Sequence, residues 1–168
     1  MLVGLQNKKL KEVKVYKSIP FKDYRGQLWT SWELRKINKK FVHDKFSFSK
    51  KNVLRGFHGD KKTWKLISCV YGKILFVVVN YNKKSKSFLK CQSFILSDKN
   101  KKNILVPPYY LNAHLCLSES CIFHYKLSYN GKYNDAKNQF SVSWRDPKIK
   151  FKWPIKKPIL SIRDKKNA

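Results

Sequence analysis

The sequence has 168 residues, enough for one domain with a sizeable hydrophobic core, and we expect a single domain over residues 1–168. Its formal net charge of +28 would suggest a nucleic acid or an anionic membrane surface as a partner. The basic residues, however, are 33 lysines and five arginines spread along the whole chain, which favours a solvated lysine-rich surface over a nucleic-acid-binding face.

Short segments with β-branched and aromatic residues follow one another along the chain, separated by glycine, proline, asparagine or lysine-rich turns. They predict strands at residues 14–19, 27–32, 45–49, 53–58, 65–70, 73–81, 88–96, 104–106, 114–117, 122–129 and 140–144. A helix is predicted only at residues 33–38, and residues 154–168 look disordered from their proline and lysine content. Many short strands at regular spacing predict an all-β sandwich or barrel.

Residues 53–60 place Arg55 and His58 three positions apart within an apolar strand pattern. Because successive strand residues alternate between faces, we expect Arg55 and Phe57 on one face and Gly56 and His58 on the other. A histidine that faces an enclosed sheet interior is either a core residue with a satisfied partner or a catalytic base.

The four cysteines, Cys69, Cys91, Cys116 and Cys121, have no CxxC spacing, and no secretory apolar segment precedes them. Buried free thiols are therefore expected. No apolar run approaches the roughly 18 residues of a membrane-spanning helix, so no membrane association is expected. Together these features predict a cytoplasmic protein.

Several short blocks occur in a defined order over about 145 residues of the sequence. They lie at residues 21–26, 54–58, 65–72, 113–114, 125–126, 144–146, 153–154 and 160–164. In sequence and order they resemble the nucleotide-sugar 3,5-epimerases typified by dTDP-4-dehydrorhamnose 3,5-epimerase. The resemblance implies an all-β cupin-type jelly roll with little helix, acting without a metal or any other cofactor.

Two of the sequence segments differ from the usual family pattern and resemble one subgroup of the family. Residues 43–46, His-Asp-Lys-Phe, and residues 57–60, Phe-His-Gly-Asp, look closest to epimerases that act on GDP-4-keto-6-deoxy-heptoses in capsule synthesis. The expected reaction is inversion at C3, or at both C3 and C5, of such a GDP-sugar through an enolate. A dTDP-4-keto-6-deoxy-hexose is the alternative substrate.

The resemblance also assigns catalytic roles. His58 is the expected base, and Asp164 is the partner that orients it, which argues that the C-terminal tail is ordered. Tyr125 is expected to protonate the opposite face of the sugar, with Tyr129 and Tyr133 as its rivals.

Other matched positions are assigned to the substrate. Lys65 is a further catalytic residue, expected beside the C4 carbonyl, where it would stabilise the enolate oxygen. The remaining positions are expected to bind substrate: Arg25 and Arg55 at the diphosphate, His114 as a second pocket histidine, and Asp60, His43 and Lys45 in the variant motifs. The family further implies a homodimer in which the strand at residues 14–19 crosses to the partner.

One departure from the family concerns Asn80 and Asn82, which stand where the family often has Asp-x-Arg. It removes an arginine and a carboxylate expected near His114. Either the pocket is adapted to another sugar or the activity is reduced. The first interpretation is favoured because every position of the acid–base machinery is present.

Three other functions fit parts of the pattern. A metal-dependent cupin needs two histidines separated by one residue, and no His-x-His occurs in the sequence. A nucleotide-sugar 3,4-ketoisomerase would share the jelly roll and the histidine base. The non-enzymatic alternative is a basic nucleic-acid-binding β-barrel with stacking aromatics, which the dispersed lysines disfavour.

Overall fold

The computed structural model describes residues 9–130 and 139–167, and this part of the chain forms twelve strands and one short helix. The strands, numbered in chain order, are Lys14–Lys17 (β1), Phe21–Asp23 (β2), Gly26–Leu28 (β3), His43–Lys50 (β4), Leu54–Gly59 (β5), Lys65–Tyr71 (β6), Lys73–Asn80 (β7), Cys91–Ser97 (β8), Lys102–Val106 (β9), Tyr110–Cys116 (β10), Ser120–Leu127 (β11) and Phe140–Ser141 (β12), and the helix is Ile162–Lys166 (α1).

Ten of these strands form two five-stranded antiparallel sheets, ordered β1-β9-β6-β11-β4 and β12-β5-β10-β7-β8. Strands β2 and β3 form a separate hairpin. Because β1 pairs with β9 of its own chain, the expectation that the strand at residues 14–19 crosses to a partner is wrong. Buried side chains from both sheets meet in one apolar cluster, which includes Ile67 and Phe123 from the first sheet and Phe76 and Val78 from the second. The two sheets therefore pack face to face. The expected all-β jelly roll with little helix is confirmed.

Strand β7 is buried on both faces, which explains its continuous apolar sequence. Phe76 and Val78 point into the space between the sheets. Val77 and Val79 instead pack with Trp144 under residues 139–167, which we call the C-terminal segment. The C-terminal segment thus closes a second core on the outside of the second sheet. Removal of this apolar area from water stabilises the segment against the sheet.

Main-chain hydrogen bonds fix the end of this segment beside β5. The N–H of Leu54 donates to the carbonyl of Ile159 at 3.0 Å, and the N–H of Ile159 donates to the carbonyl of Asn52 at 2.9 Å. Ser161 then caps α1, because its hydroxyl accepts the N–H of Asp164 at 3.1 Å. The tail is therefore ordered despite its composition, as the match at Asp164 predicted.

The faces of β5 differ from the simple alternation expected for residues 53–58. The pairing register with β10 shifts by one residue between Arg55 and His58, which makes a β-bulge. Gly56 lies in this bulge with φ +116°, a conformation that favours glycine. Arg55 and His58 consequently both line the pocket described below, while Leu54 and Phe57 are buried on the other side. The expectation that Arg55 and His58 lie on opposite faces is wrong.

Residues 33–38 form a hydrogen-bonded turn instead of the predicted helix. The carbonyl of Glu33 accepts the N–H groups of Lys36 and Ile37 at 3.1 and 3.0 Å, and the described chain continues without a second helical turn. Ile37 packs on Leu66 and Leu105, on the outer face of the first sheet. Tertiary packing of one apolar side chain therefore determines the path of this segment, overriding its helix propensity.

All four cysteines are buried and have free thiols, as expected. Burial raises the pKa of the Cys69 thiol to about 12, so this group stays protonated at neutral pH. In the described part of the chain, no helix has the length and apolar character that crossing a bilayer requires.

Candidate active site

A pocket of about 200 Å³ opens between the two sheets. Strands β5, β6, β10 and β11 and the C-terminal segment all contribute to its wall. Its charged and titratable lining residues are Arg55, His58, Lys65, His114, Tyr125 and Arg163. Four of these six were identified from the sequence as catalytic or as the second pocket histidine, and a fifth, Arg55, as a phosphate contact.

His58 on β5 is paired with Asp164 on α1. Its Nε2 lies 2.8 Å from Oδ1 of Asp164, whose side chain is only 5 % exposed. Burial alone would raise the pKa of Asp164, but hydrogen bonds from His58, from the Ser161 hydroxyl and from the Gly56 N–H hold this pKa below its ordinary value. The carboxylate is therefore ionised at neutral pH and acts as the acceptor that orients the imidazole.

Lys65 presents a buried ammonium group to the pocket. Its Nζ donates to Oδ1 of Asn112 at 3.1 Å and lies 3.7 Å from Oδ2 of Asp60. Burial lowers the pKa of Lys65, and the charge of Asp60 opposes this shift. Asp60 also accepts the N–H groups of Lys62 and Thr63 through its Oδ1, at 2.9 and 2.7 Å. Asp60 is thus placed behind Lys65, outside the pocket wall, and its position differs from that expected of a direct substrate contact.

His114 is a neutral imidazole in the pocket floor. It is 3 % exposed, and its ring stacks on Phe123 with centroids 4.1 Å apart. Burial lowers the pKa of His114 to about 3, and the charge of Arg55 acts in the same direction. Among the described residues, its Nε2 has no hydrogen-bond partner. A neutral ring with an unpaired nitrogen facing a cavity can hydrogen-bond a polar group of a ligand.

Tyr125 reaches the pocket from the first sheet, opposite the second sheet that carries His58. Lys45 pairs with Tyr125 in the ladder between β4 and β11, and His43 is two residues away on the same face of β4. Both are half-buried on the side of β4 that carries Ser47, a pocket-lining residue. Contact of these two side chains with a substrate stays a prediction.

The two arginines expected at the diphosphate occupy different places. Arg55 lines the pocket, where its guanidinium donates to the Ser49 hydroxyl at 3.0 Å and to the Phe48 carbonyl at 3.1 Å. Arg25 lies on the β2–β3 hairpin, outside this wall, and pairs with Asp23 at 2.6 Å on an exposed surface. A single copy of the described chain does not bring Arg25 to the pocket.

The Asn80 position also differs from the expectation. Asn80 pairs with Tyr110 at the end of β7, four residues beyond the partner of His114 in the same ladder. Its amide donates to the hydroxyls of Ser85 and Ser87 at 2.9 and 2.7 Å. The residue therefore holds the β7–β8 connection, and the idea that it replaces a carboxylate beside His114 is wrong.

Several residues in or beside the pocket were not identified from the sequence as members of the site, and three of them contact or lie near its charged groups. Asn112 accepts the Lys65 ammonium, Arg163 lines the wall, and Ser141 lies 3.3 Å from Nδ1 of His58 through its hydroxyl. The rarity of arginine in a lysine-rich chain was a signal for Arg163, one position before Asp164. Tyr133, a rival proton donor, lies outside the described residues.

Together these groups can move a proton at a carbon next to a carbonyl. An oriented imidazole can accept the proton, a buried ammonium can stabilise the negative oxygen that forms, and a phenol on the opposite sheet can return a proton. Within the described residues, no group of three or more His, Cys, Asp or Glu side chains is arranged to hold a metal ion.

Comparison with known proteins agrees with this chemistry. Residues 7–168 match the family model described as dTDP-4-dehydrorhamnose 3,5-epimerase. The dTDP-4-dehydrorhamnose 3,5-epimerase of Salmonella typhimurium is 34% identical over 148 residues, which cover 86% of this chain and 78% of that protein.

Solved structures give the same result. The dTDP-4-dehydrorhamnose 3,5-epimerase of Bacillus anthracis, with TDP and PPi bound, superimposes with a TM-score of 0.89 at 27% identity and covers 98% of this chain and 97% of its own. The epimerase of Legionella pneumophila, in complex with dTDP-4-keto-L-rhamnose, gives 0.88 at 27% identity, covering 97% and 90%. This chain therefore belongs to the dTDP-4-dehydrorhamnose 3,5-epimerase family and is a nucleotide-sugar epimerase.

Proposed function

We propose that the protein inverts C3 and C5 of a dTDP-linked 4-keto-6-deoxy-hexose. The single observation that carries this proposal is the pairing of His58 with Asp164 in a pocket that also holds Tyr125 and the Lys65 ammonium. The relatives support dTDP as the nucleotide, since they are epimerases of dTDP-sugars. This substrate is the alternative to the GDP-heptose that the sequence motifs favoured.

In the proposed mechanism, His58 removes the proton from the carbon next to the C4 ketone. The electron pair of the broken C–H bond moves into an enolate, whose oxygen is stabilised by the Lys65 ammonium. Tyr125 then donates its hydroxyl proton to the opposite face of the same carbon and recovers a proton from solvent. His58 returns its own proton to solvent, and the cycle repeats at the second carbon.

A GDP-4-keto-6-deoxy-heptose used in capsule synthesis remains the second candidate substrate. It is supported by the variant motifs at residues 43–46 and 57–60, two of whose members, His43 and Lys45, are half-buried on the pocket side of β4. These side chains would contact the part of the substrate that differs between the two candidates.

We also propose that the enzyme works as a homodimer in which Arg25 of one copy reaches the pocket of the other. The β2–β3 hairpin that carries Arg25 exposes three large apolar side chains, Phe21 at 67%, Tyr24 at 96% and Leu28 at 75%. Such a cluster on a two-stranded hairpin would be covered in an interface with a second copy.

The substrate test is an NMR assay in D₂O with dTDP-4-keto-6-deoxy-glucose and, separately, GDP-4-keto-6-deoxy-heptose. We expect deuterium at C3 and C5 of the dTDP-sugar, together with the inverted product. His58→Asn is the control for the base and should reduce exchange about 10²–10⁴-fold. Exchange only with the GDP-sugar would replace the main substrate by the second candidate. A 3-keto product would show a ketoisomerase, and wild-type exchange in His58→Asn would reject the assigned base.

A further inference from the structure

Both ring nitrogens of His58 are held, and by different parts of the chain. Strand β12 pairs with β5 so that Ser141 lies directly across from His58. The Ser141 hydroxyl is 3.3 Å from Nδ1, while Asp164 binds Nε2. We propose that Ser141, backed by Arg163, is a positioning residue that holds the His58 ring so that Nδ1 is the atom that accepts the substrate proton. This inference rests on the proposed function, in which His58 is the base.

The tautomer of His58 follows from its contact with Asp164. An ionised carboxylate is only an acceptor, so the 2.8 Å contact requires the ring to donate from Nε2. In the neutral ring the lone pair is then on Nδ1, and Nδ1 is the nitrogen that accepts the substrate proton. A group that contacts Nδ1 therefore acts on the basic atom itself.

The direction of the Ser141 hydrogen follows from its contacts with Arg163. The guanidinium donates to the Ser141 oxygen from Nη2 at 2.5 Å and from Nε at 3.0 Å. The same guanidinium is held by the side-chain carbonyl of Gln139 at 3.2 Å from two of its nitrogens. Because both lone pairs of the Ser141 oxygen are used, its hydrogen is directed to its remaining partner among the described residues, Nδ1 of His58.

The Ser141 contact orients the ring and can still give way to a substrate. At 3.3 Å the Ser141 contact is long, so a substrate can displace it while the ring keeps its orientation. The charged and titratable groups that face His58 from all the packed elements are Arg55 (β5), Lys65 (β6), His114 (β10), Tyr125 (β11), and Arg163 and Asp164 (α1).

The test compares the wild type with Ser141→Ala, with Ser141→Thr, which restores a hydroxyl, and with Ser143→Ala as a matched control. Ser143 is two residues away, and its hydroxyl accepts only the N–H of Arg145 among the described residues. Epimerisation is measured as kcat and KM from pH 5 to 9. Loss of Ser141 should lower kcat about fivefold with an unchanged KM, because the ring loses the hydrogen bond that holds Nδ1 in place.

The Ser143→Ala control should match the wild type. The Thr variant should restore kcat, which a general folding defect in the Ala variant would not predict. An unchanged kcat in Ser141→Ala would overturn the proposal.

A second measurement separates this inference from the proposed function. The ¹⁵N resonances of the His58 ring report the tautomer and the hydrogen bond at Nδ1 without any substrate. We expect a wild-type ring protonated at Nε2 and a shifted Nδ1 resonance in Ser141→Ala. If the wild type failed to turn over either nucleotide sugar, the proposed function would fall, and this spectrum alone would decide the role of Ser141. A ring protonated at Nδ1 would reject it.

Discussion

At the residue scale, the proposed mechanism gives different tasks to groups on the two faces of the pocket. His58 lies on the second sheet and Tyr125 on the first, so a sugar bound between them meets a base on one side and a phenol on the other. Inversion at a carbon needs this separation, because the proton must return from the face opposite to the one it left.

Replacement of Tyr125 by Phe should therefore stop inversion while leaving proton removal possible. The phenyl ring fills the same space but has no proton to donate. We expect deuterium to enter the substrate with retained configuration, while formation of the epimeric product falls about 10²-fold or more. NMR in D₂O measures both quantities in one sample. Normal product formation would instead assign the acid to Tyr129, Tyr133 or a bound water.

The pairing of Lys65 with Asp60 leads to a prediction about pH. Asp60→Asn keeps the Oδ1 acceptor for the N–H groups of Lys62 and Thr63 but removes the negative charge that opposes the burial of the ammonium. The pKa of Lys65 should fall further below its ordinary value, so Lys65 loses its charge at lower pH. The basic limb of kcat/KM should move to lower pH, with little change in KM.

A conservative change at a surface carboxylate serves as the control for Asp60→Asn. Asp146→Asn alters a carboxylate in the C-terminal segment whose Oδ1 accepts the N–H of Lys148 at 2.7 Å, and its profile should match the wild type. A basic limb that stayed in place in Asp60→Asn would show that the charge of Asp60 does not stabilise the ammonium.

At the scale of the element, the bulge in β5 brings Arg55 and His58 to the same side. A Cβ added at Gly56 would lie 2.5 Å from the carbonyl oxygen of Asn112 and 2.7 Å from Cβ of Ala113. Gly56→Ala combines this overlap with a positive φ, and we expect it to lower the free energy of unfolding by about 3 kcal/mol. It should also reduce exchange, because His58 moves with the bulge.

Gly26→Ala separates the cost of a positive φ from the cost of the steric overlap at Gly56. Gly26 also has a positive φ, of +129°, but a Cβ there would meet nothing within 4 Å. This variant should lose only about 1–2 kcal/mol. Urea unfolding of both variants measures the difference, and equal losses would show that the contact with β10 contributes nothing.

At the scale of the whole molecule, the position of Arg25 outside the pocket makes the dimer testable by complementation. Arg25→Ala and His58→Asn should each be impaired as homodimers. If Arg25 acts in the partner's pocket, mixed dimers contain one complete site, made from His58 of the first variant and Arg25 of the second. Co-expression should then restore turnover to a substantial fraction of the wild type with its KM, and sedimentation should show a dimer at micromolar concentration.

Two outcomes would contradict this assembly. A monomer at micromolar concentration would exclude the proposed interface under assay conditions. A dimer without recovery in the mixed sample would show that Arg25 does not complete the partner's site.

The all-β class and five of the six charged or titratable pocket residues could be predicted from short contiguous stretches of the sequence. Alternating and continuous apolar runs predict strands such as β6, β7 and β11, and the resemblance of the ordered blocks to the epimerase family implies roles for His58, Lys65 and Tyr125. The segment at residues 33–38 was mispredicted as a helix, because its path depends on the burial of Ile37 against a sheet that is distant in sequence.

The expected reacting groups could thus be named from the sequence, because the blocks that resemble the epimerase family are short and contiguous in the chain. The arrangement of these groups in space could not be predicted in the same way. The side of β5 on which Arg55 and His58 lie depends on a register shift against β10, and the hydroxyl on Nδ1 of His58 comes from Ser141, 83 positions away. Contacts of that separation are decided by how the two sheets and the C-terminal segment pack together, and no local periodicity encodes them.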